Sequence, residues 1–145
     1  MTRSMPPAIS LGHVHLKVRD AKRSEDFYSR AFAMRVTERV GPFVFLSLDG
    51  KHHDIALQGL GESASSPPPG STGLYHFAVE VPDRGSLRAA YHRLRRMGVQ
   101  VDAVDHGISW ALYFADPDGN GVEVYCDTRE VRQEWSGLTN PLQLD

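Results

Sequence analysis

His13-Val14-His15-Leu16-Lys17-Val18-Arg19-Asp20 and His76-Phe77-Ala78-Val79-Glu80-Val81-Pro82-Asp83 are one pattern written twice, at an offset of 63 residues. The offset holds further along, where Tyr28 falls on Tyr91, Arg30 on Arg93, Met34 on Met97 and Val36 on Val99. A fixed period of this kind marks two similar supersecondary units that stack on one another. Each copy alternates apolar and polar residues as a half-buried strand does, and each ends on an aspartate suited to capping a helix.

The text around each copy continues in the same way. Ala21–Ala33 sets Phe27, Ala31 and Phe32 at helical spacing, and Ser86–Met97 does so with Leu87, Ala90, Tyr91 and Leu94. Three strands are then expected in each unit, near 35–40, 43–48 and 53–58 in the first and near 99–103, 109–115 and 121–126 in the second. Turns fall at Leu48-Asp49-Gly50-Lys51 and at Asp116-Pro117-Asp118-Gly119-Asn120. The opening strands are expected at 10–18 and 74–81. The chain is thus read as one domain over 1–145: a βαβββ module at about 10–60, a linker at 61–72, a second module at about 73–127 and a C-terminal tail at 128–145. The linker is rich in Ser, Pro and Gly and is stiffened by Pro67-Pro68-Pro69. Trp135 and Leu138 are the candidates to dock the tail.

Composition narrows the classes. Apolar residues make up 41% and charged residues 23%, as in a globular protein. No stretch approaches the roughly 20 apolar residues of a membrane span, and Met1–Ser10 has no apolar run for a signal peptide. A net charge of -2 with mixed signs offers no footprint for nucleic acid or an acidic membrane. The lone Cys126 excludes an internal disulfide and suits a reducing cytoplasm.

His13 and His76 hold the same place in the two units, so pairing the units by pseudo-symmetry would aim both into one cleft. Glu123, in Gly121-Val122-Glu123-Val124-Tyr125, is a carboxylate inside an apolar strand, which is costly unless a cation neutralises it. Two imidazoles and a carboxylate form the facial ligand set of non-haem Fe(II), with positions left open. Mn(II) accepts the same ligands. The fold expected is α+β: two tandem βαβββ modules forming a curved mixed sheet around a metal pocket. Other histidines are given smaller parts. His15 shares the strand face of His13 and is read as a core histidine with a satisfied partner, His92 as solvated, and Cys126 as a packing residue.

Gly12-His13-Val14-His15-Leu16, Tyr75-His76-Phe77-Ala78-Val79 and Asp116-Pro117-Asp118-Gly119-Asn120-Gly121-Val122-Glu123 resemble the vicinal oxygen chelate superfamily. It includes glyoxalase I, methylmalonyl-CoA epimerase, fosfomycin and bleomycin resistance proteins, and the extradiol catechol dioxygenases. The resemblance covers about residues 10–127 and is specific for fold more than for reaction. Three features are similar to the small, single-domain extradiol catechol 2,3-dioxygenases. Lys51-His52-His53-Asp54-Ile55-Ala56-Leu57 resembles their paired-histidine strand, which implies that His53 faces a catechol and shuttles protons. Asp105-His106-Gly107-Ile108-Ser109 is similar to a segment whose histidine contacts substrate and bound oxygen, and Tyr113, ten residues before Glu123, matches the active-site tyrosine. The resemblance therefore implies an Fe(II)-dependent dioxygenase that opens a catechol with O2 to a muconic semialdehyde, with His53, His106 and Tyr113 as catalytic residues and His13, His76 and Glu123 on the metal.

Isomerases and lyases of the superfamily add a fourth protein ligand from the last strand of the first unit. Matching Ile55-Ala56-Leu57 to Val122-Glu123-Val124 puts Ala56 there, which cannot bind metal. Matching the preceding turns puts Asp54 there instead. Both lie on one strand face, so the pattern leaves the two registers open. A metal-dependent lyase or isomerase, and a metal-free small-molecule binding protein, are the alternatives. Association into a homodimer or higher homo-oligomer through strand edges is expected.

Overall fold

The computed structural model describes residues 7–145; residues 1–6, part of the N-terminal stretch read above, lie outside them. The elements run β1 (Val14–Val18), α1 (Ala21–Phe32), β2 (Arg35–Val40), β3 (Phe43–Ser47), β4 (Ile55–Gly59), β5 (His76–Glu80), α2 (Arg84–Arg96), β6 (Asp102–Asp105), β7 (Ser109–Ala115) and β8 (Gly121–Asp127). They form two four-stranded mixed sheets, ordered β1-β4-β3-β2 and β5-β8-β7-β6. In each, the first strand pairs in parallel with the last, and the remaining pairs are antiparallel. The duplicated βαβββ plan expected from the repeat is what forms.

Alternation decides which face each strand buries. Leu16 and Val18 of β1 point into the core while His15 and Lys17 are exposed. In β8, Val122, Val124 and Cys126 are buried, and Glu123 and Tyr125 lie on the opposite, half-buried face. Both helices start where the aspartates predict. Asp20 Oδ1 accepts from the backbone N–H groups of Lys22 and Arg23, and Asp83 Oδ1 accepts from Ser86 at 2.7 Å. The buried face of α2 is the expected Leu87, Ala90, Tyr91 and Leu94. That of α1 centres instead on Tyr28 and Ala31, with Ser24 and Glu25, while Phe27 and Phe32 flank it.

The helices cover the core faces of the two sheets and meet each other. Arg93 Nη1 donates to Ala31 O at 2.8 Å, and the Tyr28 ring lies 6.2 Å from Phe77 of the second sheet. Polar bonds also tie the units. Tyr28 Oη donates to Asp116 Oδ2 at 2.7 Å, and Arg19 holds Asp118 from both its backbone N–H and its guanidinium. One hydrophobic cluster thus runs through both units. The other face of each sheet carries the histidines.

Three strands begin later than expected at points that bear on the packing. β1 and β5 begin at Val14 and His76 rather than at 10 and 74. β6 begins at Asp102, because Val99 and Val101 are spent on the turn after α2, where Val99 N–H bonds Leu94 O and the side chains pack on the core. Residues 128–145 are anchored by the buried Leu144; of the two expected docking residues, Trp135 packs on the His106 ring with its other side exposed, and Leu138 is largely exposed. No helix among the described residues is long and apolar enough to cross a membrane.

Candidate metal centre

The register of the second sheet sets Glu123 in the middle of a row. Its neighbours across the strands are Ala78 on β5 and Tyr113 on β7, and His76 sits opposite Gly121. His76 Nε2 lies 3.2 Å from Glu123 Oε2. On the other side, Tyr113 Oη donates to Glu123 Oε1 at 2.9 Å, and His106 Nε2 lies 2.7 Å from Tyr113 Oη. His106 Nδ1 in turn contacts Gly137 O at 2.7 Å. A single polar line therefore runs His76, Glu123, Tyr113, His106, hydrogen-bonded from Glu123 to His106. Burial, and next the bond to Glu123, push the Tyr113 phenol well above the usual tyrosine range, so it acts here as a neutral donor.

Gly121 allows the approach of β5 to β8. A Cβ there would run into Tyr75 O and crowd His76 Cβ at 3.0 Å, so any side chain would push His76 away from Glu123. An open groove of about 910 Å³ adjoins the pair, lined by Tyr75, His76, Asp102, Tyr113 and Leu138 among others.

The first sheet carries the second group. His13 is exposed, and its ring lies 4.4 Å from that of His53, which packs at 4.9 Å on Phe45. His53 Nδ1 faces His52 Nδ1 at 2.9 Å, and His52 Nε2 reaches Glu38 at 2.9 Å. Burial, then the neighbouring His13 and His52, lower the His53 pKa from its ordinary value. His15 is exposed, edge-on to Phe43, and is not the core histidine expected. Cys126 is fully buried, and burial raises its thiol pKa, as fits packing.

The sequence-predicted residues thus fall into two sets. His76, Glu123, Tyr113 and His106 converge; His13 and His53 converge elsewhere. Among the described residues, no three His, Cys, Asp or Glu side chains are grouped to hold a metal ion. The donor chemistry of the pair itself fits one. With metal–donor distances of about 2.1 Å, two donors at right angles on one cation lie about 3 Å apart, close to the 3.2 Å between His76 and Glu123.

The register question is settled by the strand pairs. His15 opposes Ala56 in the first sheet as Ala78 opposes Glu123 in the second, so Ala56 is the counterpart of Glu123. Asp54 is engaged elsewhere: Oδ2 accepts from Leu48 N–H at 2.7 Å, and Lys51 lies 3.6 Å from Oδ1. Trp135, a candidate to dock the tail, stacks on the same His106 ring at 6.0 Å and 23°, while the bond that Gly137 O accepts from His106 has no signal in the sequence.

Comparison with known proteins finds the same architecture. Residues 10–124 match the Glyoxalase/Bleomycin resistance protein/Dioxygenase superfamily. A catechol-2,3-dioxygenase of Bacillus subtilis is 38% identical over 125 residues, covering 86% of this chain and 43% of the relative. A biphenyl-2,3-diol 1,2-dioxygenase of Rhodococcus globerulus is 29% identical over 129 residues, covering 88% of this chain and 68% of the relative. The chain thus spans less than half the length of the first of these. Among solved structures, a lactoylglutathione lyase from Agrobacterium tumefaciens superposes with a TM-score of 0.65 at 22% identity, over 83% of this chain and 96% of that one.

Proposed function

This chain belongs to the Glyoxalase/Bleomycin resistance protein/Dioxygenase superfamily, and from that premise we propose that it is an Fe(II)-dependent extradiol dioxygenase acting on a catechol-type diol in the cytoplasm. Mn(II) suits the same ligands. The observation that carries the reading is the line His76–Glu123–Tyr113–His106. It sets two metal donors beside a neutral phenol, at the edge of an open groove. The dioxygenase relatives, and an alanine rather than a ligand at the Ala56 position, favour this reaction over a lyase or isomerase.

The third ligand, His13, comes in this proposal from a second copy of the chain. The first sheet of one copy would face the second sheet of its partner, so that His13 joins the partner's His76 and Glu123. Three observations support this. His13 is exposed. The aromatic pair Phe43 and Phe45 stacks on the same sheet and is only half-buried. The helices occupy the core faces of both sheets, which leaves the histidine-bearing faces to be covered.

The metal, when bound, would acidify a catechol hydroxyl and open positions to diol and O2. The chain's own groups would do the rest. His53, beside His13, would arrive in the same completed site and take the second hydroxyl proton, a role suited to a ring whose surroundings lower its pKa. Tyr113 would donate to the substrate oxygen. His106 is buried with both ring nitrogens engaged, so it would act on substrate and oxygen through Tyr113. Protein loaded anaerobically with Fe(II) should turn catechols yellow and consume one O2 per ring. Full iron occupancy without oxygen uptake on any catechol tried would refute the reading.

A further inference from the structure

We infer that the segment after β8 is a clamp that fixes the ring of His106 and, through Tyr113, holds the Glu123 carboxylate in place; only the last link rests on the metal reading above. The segment does not wander over the surface. Thr128 N–H bonds Ile108 O, and Thr128 Oγ1 bonds Gly107 O, both at 2.8 Å. Ser136 N–H bonds His106 O at 2.7 Å. Asn140 O accepts from Asp105 N–H, Pro141 bridges to Val104, and Leu142 N–H bonds Ala103 O. Residues 140–142 thereby add to the open side of β6, the edge strand of its sheet. Leu144, at 2% exposure, pins the far end.

Where the segment crosses the 106–108 turn there is no spare room. Gly107 has φ +81, and a Cβ on it would sit 2.7 Å from Glu134 O and 2.9 Å from Arg132 Cδ. The crossing brings two groups onto His106. The Trp135 ring stacks over the imidazole and is itself more than half exposed, so it covers the histidine from the solvent side. Gly137, at φ +94, aims its carbonyl at Nδ1.

The consequence is chemical. A carbonyl oxygen only accepts, so Nδ1 must carry a proton, and Nε2 of that tautomer is an acceptor turned to the Tyr113 hydroxyl. Tyr113 thereby stands between two acceptors, Nε2 of His106 and the Glu123 carboxylate, which share its one hydroxyl proton. Gly137 is therefore a positioning residue acting through three side chains, in the way that partners behind a metal ligand orient it and tune its basicity.

The test uses the full chain with 15N-labelled histidine, free of metal. The spectrum should show His106 protonated at Nδ1. Gly137→Ala places a side chain on left-handed backbone and turns the carbonyl away, and Trp135→Ala removes the cover with little risk to folding. Both should lose the Nδ1 preference and bind Mn(II) about tenfold more weakly. A merely structural role would lower the melting temperature without moving the histidine signal. An unprotonated Nδ1 in the wild type overturns the inference. So does a signal unmoved in both variants, or a lost preference with Mn(II) affinity intact. If the wild type binds no Mn(II), the metal reading falls, and the histidine spectrum still decides whether the clamp exists.

Discussion

With His13 replaced by alanine in one preparation and Glu123 by glutamine in another, neither protein alone should hold Mn(II) tightly, since each lacks a ligand. Mixed, they should recover binding. If every site combines His13 of one copy with His76 and Glu123 of another, a mixed dimer has one site missing both ligands and one site with all three. Random exchange makes half of the dimers mixed, so about one site in four is restored. The structure motivates this arithmetic because His76 and Glu123 sit 3.2 Å apart on one sheet while His13 lies with His53 on the other. The assay is Mn(II) bound per chain, read by EPR after mild denaturation and co-refolding. Mixing His76→Ala with Glu123→Gln is the control: both lesions fall on the same sheet, so neither site of the mixed dimer is complete and recovery should be nil. No recovery in the first mixture would refute a shared site, and recovery in both would refute the assignment of residues to halves.

Tyr28→Phe removes the buried donor to Asp116 and should cost about 1.5–3 kcal/mol in urea unfolding, the range for a hydrogen bond to a charged group; a change below 0.5 kcal/mol, on the order of an exposed substitution, would contradict it. Arg39 bonds the buried Glu25 carboxylate at 2.8 Å, and this bond, against burial, lowers the carboxyl pKa. The sign follows from the lowering. The contribution is complete above the unfolded carboxylate value and is lost as pH falls through the lower native one. The melting-temperature gap between wild type and Arg39→Ala should therefore narrow between about pH 5 and pH 3. A gap that widens would be the wrong sign. Asp54→Ala should cost about 1 kcal/mol of stability through the Leu48 N–H bond, while Mn(II) affinity stays within about twofold. A large loss of affinity would make Asp54 a ligand and move the reaction toward the lyases.

Much of this architecture could be read before any coordinate. The duplicated His-to-Asp strand located both modules, and Asp20 and Asp83 cap the helices they precede. Apolar spacing reports burial, not pairing, which is why Val99 and Val101 read as part of a strand although they pack beside a turn. The same limit hid Tyr28: its ring packs like any core aromatic, and only the fold supplies Asp116 for its hydroxyl. At the site, the repeat placed His13 and His76 in equivalent positions, but equivalence in sequence does not say which copy of the chain faces which. Apart from Trp135, the residues after β8 are opaque for a plainer reason. Their partners are backbone groups of Ala103, Asp105, His106 and Ile108, and a backbone group leaves no mark in a sequence.

The number of imidazoles at the bound ion is the most direct test of a metal site that joins His13 to His76 and Glu123. Electron spin-echo spectroscopy of the Mn(II)-loaded protein, with natural and 15N-labelled histidine, counts them. Two coordinated imidazoles are predicted in the wild type and one in His13→Ala or His76→Ala. A single imidazole in the wild type, or two that survive the loss of His13, would contradict it.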